Sequence, residues 1–358
     1  MTNVSNEHDP GDWFGTRIEP GQTAPAAVPI SQAFDGSEVR LPIRVTCSEA
    51  PGPTVAVTAA VHGDELNGTG AIRRIMRDTP FELNAGTLVL VPVVNLQGFE
   101  RHTRYLPDRR DLNRCFPGSA EGSYAARLAH AFFERVIKRC DWCIDLHTAA
   151  VRRTNFPNVR ADMSRPELAA FARAFGAEFV VSGRGPVGSL RRAACEAGVP
   201  TIILEAGEVW KVEPGVVDYA VRGITNCLRY LGMVSGKPAE PEFRLETDAT
   251  KWIRAERGGF LEFHVAPGDI LAEGDAIATN ADLTGVVSNV IRAPRAGVVI
   301  GMTTIPSVAP GDPVCHLAFS KSGVLNRMER TVDALEDDAL YSRLRDELAT
   351  SLRVTPSV

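Results

Sequence analysis

The segment TVAVTAAV at residues 54–61 runs directly into HGDE at residues 62–65. The apolar run predicts a buried strand, and from Leu66 onward the apolar residues change to helical spacing. Further apolar strand-like segments then alternate with amphipathic helical ones to about residue 231. This alternation predicts an α/β fold with a mixed, mainly parallel sheet flanked by helices.

Beyond the α/β region the pattern changes. Residues 235–241 (SGKPAEP) read as a linker, and residues 250–320 read as short strands rich in Gly and Pro. The pentapeptide VAPGD occurs at residues 265–269 and again at 308–312. The repeat resembles the barrel-sandwich hybrid of biotinyl and lipoyl carriers, which attach their cofactor to a lysine, but residues 252–320 contain no lysine. We predict an α/β domain at 1–234, a C-terminal all-β, barrel-sandwich-hybrid-like module at 235–325 and a helical tail at 326–358.

Composition excludes several classes of protein. The 358 residues are 44% hydrophobic and carry a net charge of −5, so a broad nucleic-acid-binding surface is not expected. No apolar run approaches the roughly 20 residues of a membrane span, and the N-terminus lacks the pattern of a secretory signal. Seven cysteines, an odd number, argue against a disulfide framework. We predict a cytoplasmic protein with neither nucleic acid nor membrane as a partner.

Two strand ends carry residues that suit a metal ion. His62 and Glu65 flank the tight turn after the first strand, and Asp145-Leu146-His147 ends another. Two imidazoles and one carboxylate with an open position are typical of catalytic zinc. Asp145 and His147 face the same side of the strand, so the carboxylate can orient the ring. The alternatives are an ordinary strand-end histidine at 147 and His102, from a loop, as the third ligand.

A further carboxylate, Glu205, ends the apolar strand that begins at Thr201. A buried strand-end carboxylate beside a metal-activated water is suited to act as a general base. Glu208 follows three residues later and is the alternative. We rank it second, because it lies beyond Gly207 and is expected to cap the next element.

The loop TRYLPDRRDLNRCFPG at residues 103–118 is rich in arginine. Solvated surface is the ordinary interpretation of such a loop. Asn113 and Arg114, however, lie between the apolar residues Leu112 and Phe116, which pull them toward the protein body. One guanidinium can bind a substrate carboxylate, and another can stabilise a developing oxyanion.

The order HGDE, TRY…DLNR, DLHT, LEAGE resembles the succinylglutamate desuccinylase/aspartoacylase family of zinc-dependent deacylases over roughly residues 50–232. The resemblance implies a zinc carboxypeptidase-like fold and one Zn²⁺ per chain. Arg191 or Arg192 could read the distal carboxylate of the acyl group, although the spacing to Glu205 departs from the family pattern. The implied roles are zinc binding by His62, Glu65 and His147, oxyanion stabilisation by Arg104, α-carboxylate binding by Asn113 and Arg114, and general base catalysis by Glu205.

The sequence therefore predicts an amide hydrolase that removes a small acyl group from an N-acyl amino acid or a related amine. Its substrate is expected to bear a carboxylate. A zinc carboxypeptidase acting on short peptides and a non-catalytic zinc- or ligand-binding scaffold are the alternatives. The charged tail is expected to pack on its own chain or on a second copy, which leaves a homo-oligomer open.

Overall fold

The computed structural model describes residues 11–33, 35–336 and 338–349. A short ribbon, β1 (Asp12–Trp13) with β2 (Thr16–Arg17), precedes the main sheet. The main-sheet strands of the α/β region are β3 (Thr23–Gln32), β4 (Glu38–Cys47), β5 (Thr54–Ala59), β6 (Thr87–Val91), β7 (Trp142–His147), β8 (Arg153–Ala161), β9 (Phe179–Ser182) and β10 (Thr201–Gly207). The helices are α1 (Asn67–Asp78), α2 (Leu96–Glu100), α3 (Tyr124–Arg135), α4 (Pro166–Ala174), α5 (Leu190–Glu196), α6 (Pro214–Tyr230), α7 (Ser322–Asp333) and α8 (Leu340–Ala349).

The main sheet is mixed. Strands β6, β5, β7 and β10 lie side by side at its centre and run parallel. On one flank, β4 is antiparallel to β6 and β3 to β4, and on the other flank β8 is antiparallel to β10 but parallel to β9. Since β3 and β4 are joined by a short turn, they can pair only in the antiparallel sense. The predicted mixed α/β fold is confirmed, and among the main-sheet strands of the α/β region four strand pairings are parallel and three are antiparallel.

Alternate residues of β5 enter two different cores, which explains why this strand is apolar throughout. Val55 and Val57 pack on the side covered by α1, α4 and α6. Ala56 packs on the opposite side, which is covered by α3 and α5. The central strands are therefore covered on both faces, as in other parallel sheets, and the α/β region has three layers.

Residues 245–319 form strands and no helix, and one of the two sheets to which they contribute is continuous with the main sheet. Strand β17 pairs antiparallel with β8, and β12 and β19 extend the sheet beyond it. The other sheet contains four strands, in the order β16-β15-β13-β18. The strands of the region are β11 (Leu245–Thr247), β12 (Thr250–Arg254), β13 (Gly259–Phe263), β14 (Ile270–Leu271), β15 (Ala276–Ala281), β16 (Val287–Arg292), β17 (Gly297–Thr303), β18 (Ser307–Val308) and β19 (Pro313–Phe319).

The two VAPGD repeats form the same turn. In each, the aspartate Oδ2 accepts a hydrogen bond of 2.8 Å from the N–H of the alanine three residues earlier. The preceding glycines, Gly268 and Gly311, have φ angles of 92° and 91°, which a residue with a side chain rarely adopts. The sequence repeat is therefore a structural repeat.

Two helices, α7 and α8, follow the last strand. Helix α7 begins at Ser322, ahead of the predicted start of the tail at residue 326. Tyr341, Leu344 and Leu348 of α8 are buried in the core that also contains α6, so α8 packs on its own chain. Within the described ranges, no helix combines the length and the hydrophobicity needed to cross a bilayer.

Candidate active site at the carboxyl ends of the parallel strands

His62, Glu65 and His147 converge at the carboxyl ends of neighbouring parallel strands. His62 and Glu65 lie in the turn between β5 and α1, and His147 is the last residue of β7. Glu65 Oε1 lies 2.7 Å from His62 Nδ1, and Glu65 Oε2 lies 2.8 Å from His147 Nδ1. All three residues are buried, and one candidate ligand atom from each lies within 4.8 Å of the others. The structure thus brings together the three residues predicted to bind zinc.

Gly63 allows the HGDE turn to pack against the backbone of α2. A Cβ atom at this position would lie 1.9 Å from the carbonyl carbon of Gly98. Glycine is needed at position 63 because the turn packs closely against the α2 backbone, and not because its φ angle is unusual. This packing fixes where His62 and Glu65 enter the site.

Two aspartates hold the outer nitrogens of the two rings. Asp145 Oδ2 lies 2.7 Å from His147 Nε2, and Asp111 Oδ1 lies 3.1 Å from His62 Nε2. The Thr58 hydroxyl donates to the other oxygen of Asp145 at 2.6 Å. A carboxylate on the outer nitrogen of a metal-binding histidine fixes the ring and its tautomer. The predicted contact between Asp145 and His147 is present, and Asp111 provides its counterpart for His62.

The charges around the trio suit a divalent cation. Burial disfavours a charge on Glu65, but the two imidazoles outweigh burial and hold the pKa of Glu65 well below its usual range. Burial also opposes protonation of His147, yet Asp145 and Glu65 raise its pKa well above the ordinary value. Three carboxylates, with Asp111 as the third, therefore surround two imidazoles. Two nitrogen donors and a carboxylate match the ligand preference of zinc, so the residues present fit this ion.

Glu205 lies beside the trio. It is paired in register with His147 across β10 and β7, and its Oε2 accepts a hydrogen bond of 3.0 Å from Asn155 Nδ2. Its side chain lines the same cavity as the trio. The alternative base, Glu208, forms an ion pair of 3.1 Å with Lys211 outside the lining of that cavity.

A cavity of about 230 Å³ joins these groups. The eight residues that the sequence analysis proposed for the site all line it: His62, Glu65, Arg104, Asn113, Arg114, His147, Arg191 and Glu205. His102, the competing ligand, is exposed and lies outside the trio.

The arginine-rich loop reaches the ligand set. Arg104 Nη2 donates to Asp111 Oδ2 at 3.0 Å, and its Nη1 donates to Glu65 Oε1 at 3.3 Å. Asn113 Oδ1 accepts a hydrogen bond of 2.8 Å from the N–H of Leu190, which ties the loop to the start of α5. The Asn113 side-chain amide group and the neighbouring Arg114 line the cavity. This placement makes them available to a ligand.

Arg191 has a buried guanidinium group in the cavity wall. The residue is 7% exposed, Nη1 has no hydrogen-bond partner, and among the described residues it forms no ion pair. Burial, followed by the charge of Arg160, lowers the pKa of Arg191 to about 10. Arg192 instead donates to Glu196 at 2.8 Å. An unpaired buried cation beside a cavity is suited to a carboxylate ligand.

The sequence analysis assigned no role to four residues of this region: Asp111, Arg153, Trp252 and His316. Asp111 lies in the quoted loop, two residues before Asn113, and its place within the DLNR motif could have indicated a role in the site. The module residues Trp252 and His316 offered none, because they reach the cavity only through the sheet continuity between β17 and β8.

The catalytic-domain model of the succinylglutamate desuccinylase/aspartoacylase family matches residues 51–231, about half of the chain. The chain belongs to this family. The resemblance inferred from the four motifs is thereby confirmed. As a family member the chain is an enzyme, a hydrolase of the deacylase class.

Several relatives extend the likeness beyond the family's catalytic domain. The N-alpha-acetyl-L-2,4-diaminobutyric acid deacetylase of Halomonas elongata is 29% identical over 302 residues, which cover 78% of this chain and 86% of that protein. The succinylglutamate desuccinylase/aspartoacylase structure from Rhodobacter sphaeroides has a TM-score of 0.71 at 28% identity, covering 83% of this chain and 96% of that one. The product-bound ectoine utilization protein EutE (DoeB) from Ruegeria pomeroyi has a TM-score of 0.73 at 25% identity, covering 85% and 97%.

Proposed function

We propose that the protein is a zinc-dependent amide hydrolase that removes a small acyl group from an N-acyl amino acid or a related amine. The observation that carries the proposal is the single cavity that unites His62, Glu65, His147 and Glu205 with five arginines. Family membership and the deacetylase name of the Halomonas elongata relative support the class of reaction.

In this proposal His62, Glu65 and His147 hold one zinc ion per chain. When bound, zinc supplies Lewis acidity toward water and toward the scissile carbonyl. Asp145 and Asp111 keep both imidazoles aimed inward through their outer nitrogens. Three protein ligands leave a coordination position open, as in catalytic sites.

Glu205 acts as the general base. It takes a proton from the attacking water and later delivers it to the leaving amine. The hydrogen bond from Asn155 orients Oε2, while Oε1, which lies 3.9 Å from Arg160 Nη1, is available for proton transfer.

The arginines bind and polarise the substrate. Arg104, held by Glu65 and Asp111, stabilises the negative charge that develops on the carbonyl oxygen when water attacks the carbonyl carbon. Asn113 and Arg114 bind the α-carboxylate, and Arg191 contributes a further, unpaired guanidinium to substrate binding.

The size of the cavity supports a small substrate over a peptide. A carboxypeptidase would use the same chemistry but needs room for a chain that continues beyond the cleaved bond. Here Trp252 and His316 of the C-terminal module line the cavity, whose volume is about 230 Å³. A non-catalytic scaffold would bind the same ligands without turnover.

The finer predictions for the rest of the chain stay proposals. The seven cysteines are all free, which supports the predicted cytoplasmic location. We keep the barrel-sandwich-hybrid-like fold for residues 235–325, and we propose a structural or gating role because residues 252–320 contain no lysine to which a carrier's cofactor could be attached. A homo-oligomer also stays a prediction.

The test is a hydrolysis screen with zinc-loaded and chelator-treated protein. N-acetyl, N-succinyl and N-formyl amino acids are offered alongside short peptides, and release of amine is measured. We expect turnover of at least one N-acyl amino acid by the zinc-loaded protein only. Cleavage of peptides without cleavage of N-acyl amino acids would favour the carboxypeptidase, and the absence of any turnover would favour the scaffold.

A further inference from the structure

Two side chains of the C-terminal module, Trp252 and His316, form part of the wall of the catalytic cavity. They are register partners on β12 and β19. Their ring centroids lie 4.8 Å apart with an angle of 11° between the planes, so the rings are stacked. Because β19 is linked through β17 to β8, the continuous sheet fixes the pair relative to the cavity.

Arg153 joins the pair from the α/β side. It is the first residue of β8 and also lines the cavity. Its Cζ lies 4.8 Å from the centroid of the Trp252 ring, a cation–π contact. Trp252 thus contacts a guanidinium group and an imidazole and holds both at the wall.

His316 offers hydrogen-bonding atoms that the protein does not use. It is 7% exposed, and within the described residues neither ring nitrogen has a hydrogen-bond partner. Burial, together with the charges of Arg160 and Arg153, lowers the pKa of His316 to about 3. The imidazole is therefore neutral near pH 7, with one N–H donor and one acceptor. Neither nitrogen is among the fully buried atoms that lack a partner, so both are accessible to a ligand group in the cavity.

The charges near His316 select the sign of that group. Three arginines lie near His316 in the cavity wall: Arg153, Arg160 and Arg191. Within the described residues, only Arg160 of the three forms an ion pair, a distant one of 3.9 Å between its Nη1 and Glu205 Oε1. Burial, with the charges of Arg254 and Arg104, lowers the pKa of Arg153. Arg153 itself forms no ion pair among the described residues, so its charge can be offset by a ligand. An ammonium group would add to this repulsion, whereas a carboxylate would offset it.

We propose that Trp252, His316 and Arg153 form a specificity subsite for a second anionic group of the substrate. His316 donates its N–H to this group, Arg153 supplies the positive charge, and Trp252 keeps both oriented. The proposal rests on the proposed deacylase function and places a determinant of substrate choice in the module, outside residues 51–231. It implies a substrate with a carboxylate in the acyl group or in the side chain, in addition to the α-carboxylate.

The test compares substrates that differ only in this charge. N-acetyl-L-glutamate against N-acetyl-L-glutamine probes the side chain, and N-succinyl-L-alanine against N-succinamoyl-L-alanine probes the acyl group. For the zinc-loaded wild type we expect kcat/KM to favour the dianion by about tenfold or more in one pair, the value of a hydrogen bond to a charged group. An equal rate for both members of both pairs would overturn the proposal.

Three variants locate the effect. His316→Phe keeps a stacking ring without nitrogens, His316→Gln restores a donor, and Arg153→Met removes the charge. We expect His316→Phe and Arg153→Met to raise KM for the dianion about tenfold, with little change in kcat or in KM for the monoanionic substrate. His316→Gln should recover part of the loss. Arg295→Met is the matched control, since it removes a similar contact of 4.9 Å to Phe319, on the same strand as His316.

Binding of a dicarboxylate separates this proposal from the deacylase proposal. Calorimetry measures glutarate and its monoamide against the same proteins, with thermal unfolding as the check on folding. We expect glutarate to bind more tightly than the monoamide, and His316→Phe and Arg153→Met to remove the difference. If no substrate is hydrolysed, the deacylase proposal fails while binding still decides the subsite. The subsite is refuted if both variants weaken the binding of glutarate and of its monoamide equally. It is also refuted if they lower kcat/KM equally for both members of a substrate pair.

Discussion

Glu205 and His147 are paired in register on the adjacent parallel strands β10 and β7. The proposed base and one proposed zinc ligand are therefore held by the hydrogen-bonded centre of the sheet, not by mobile loops. Groups carried on strands keep a better-defined geometry than groups carried on loops. A substitution at residue 205 is thus expected to change the chemistry of the site and to leave its geometry in place.

The first prediction concerns Glu205→Gln, which preserves the size of the side chain and an oxygen that can accept from Asn155. Because an amide cannot accept the proton of water, we expect kcat to fall about 10²- to 10⁴-fold with unchanged zinc content. Amine release and metal analysis measure the two quantities. Glu208→Gln is the matched control, since Glu208 pairs with Lys211, and it should stay near wild type. Full turnover by Glu205→Gln would contradict the assignment of the base.

The second prediction concerns Asp145→Asn. The amide can still accept from Thr58, but it no longer offers a carboxylate to His147 Nε2. We expect zinc affinity to fall about 10- to 100-fold, measured by competition with a chromogenic chelator. Asp346→Asn, at an exposed position of α8, serves as the control. Equal affinity in the two variants would refute the role of Asp145.

The sequence was most informative where the partners of a residue are local. The His62–Glu65 turn follows an apolar strand, and alternation along β7 places Asp145 and His147 on one side. Strand periodicity and the preference for parallel pairing at the sheet centre are enough to bring such strand ends together. The trio of ligands could therefore be proposed before any coordinates existed.

Residues whose partners are distant in the sequence could not be found in this way. Trp252 and His316 enter the cavity because β17 pairs with β8, and the linker-like composition before the module does not indicate that pairing. Asp111 contacts His62 from 49 residues away along the chain, so only the folded loop identifies it as the partner of the ring.

The third prediction concerns Arg191→Met. The guanidinium is buried without an ion pair among the described residues, so its removal should cost little stability and can raise the melting temperature. Substrate binding should weaken, with KM rising about tenfold or more as a charged hydrogen bond is lost. Arg192→Met is the control on the same helix, where loss of the pair with Glu196 costs at most about 1 kcal/mol and leaves KM unchanged. Thermal unfolding and steady-state kinetics measure both effects. An unchanged KM in Arg191→Met would remove this residue from the binding site.

The last prediction concerns Gly63→Ala. The added Cβ would lie 1.9 Å from the Gly98 carbonyl carbon and 2.1 Å from the Phe99 nitrogen, and backbone atoms of α2 cannot rotate away. The turn and α2 must then separate and displace the ligands on either side of residue 63. We expect the free energy of unfolding to fall by about 3 kcal/mol and zinc affinity to fall with it.

Gly183→Ala is the matched control, because no heavy atom lies within 4 Å of a Cβ placed at that position. Chemical denaturation and chelator competition measure stability and affinity in both variants. If Gly63→Ala behaved like Gly183→Ala in both measurements, the turn would not depend on its approach to α2. The positions of His62 and Glu65 would then need another cause.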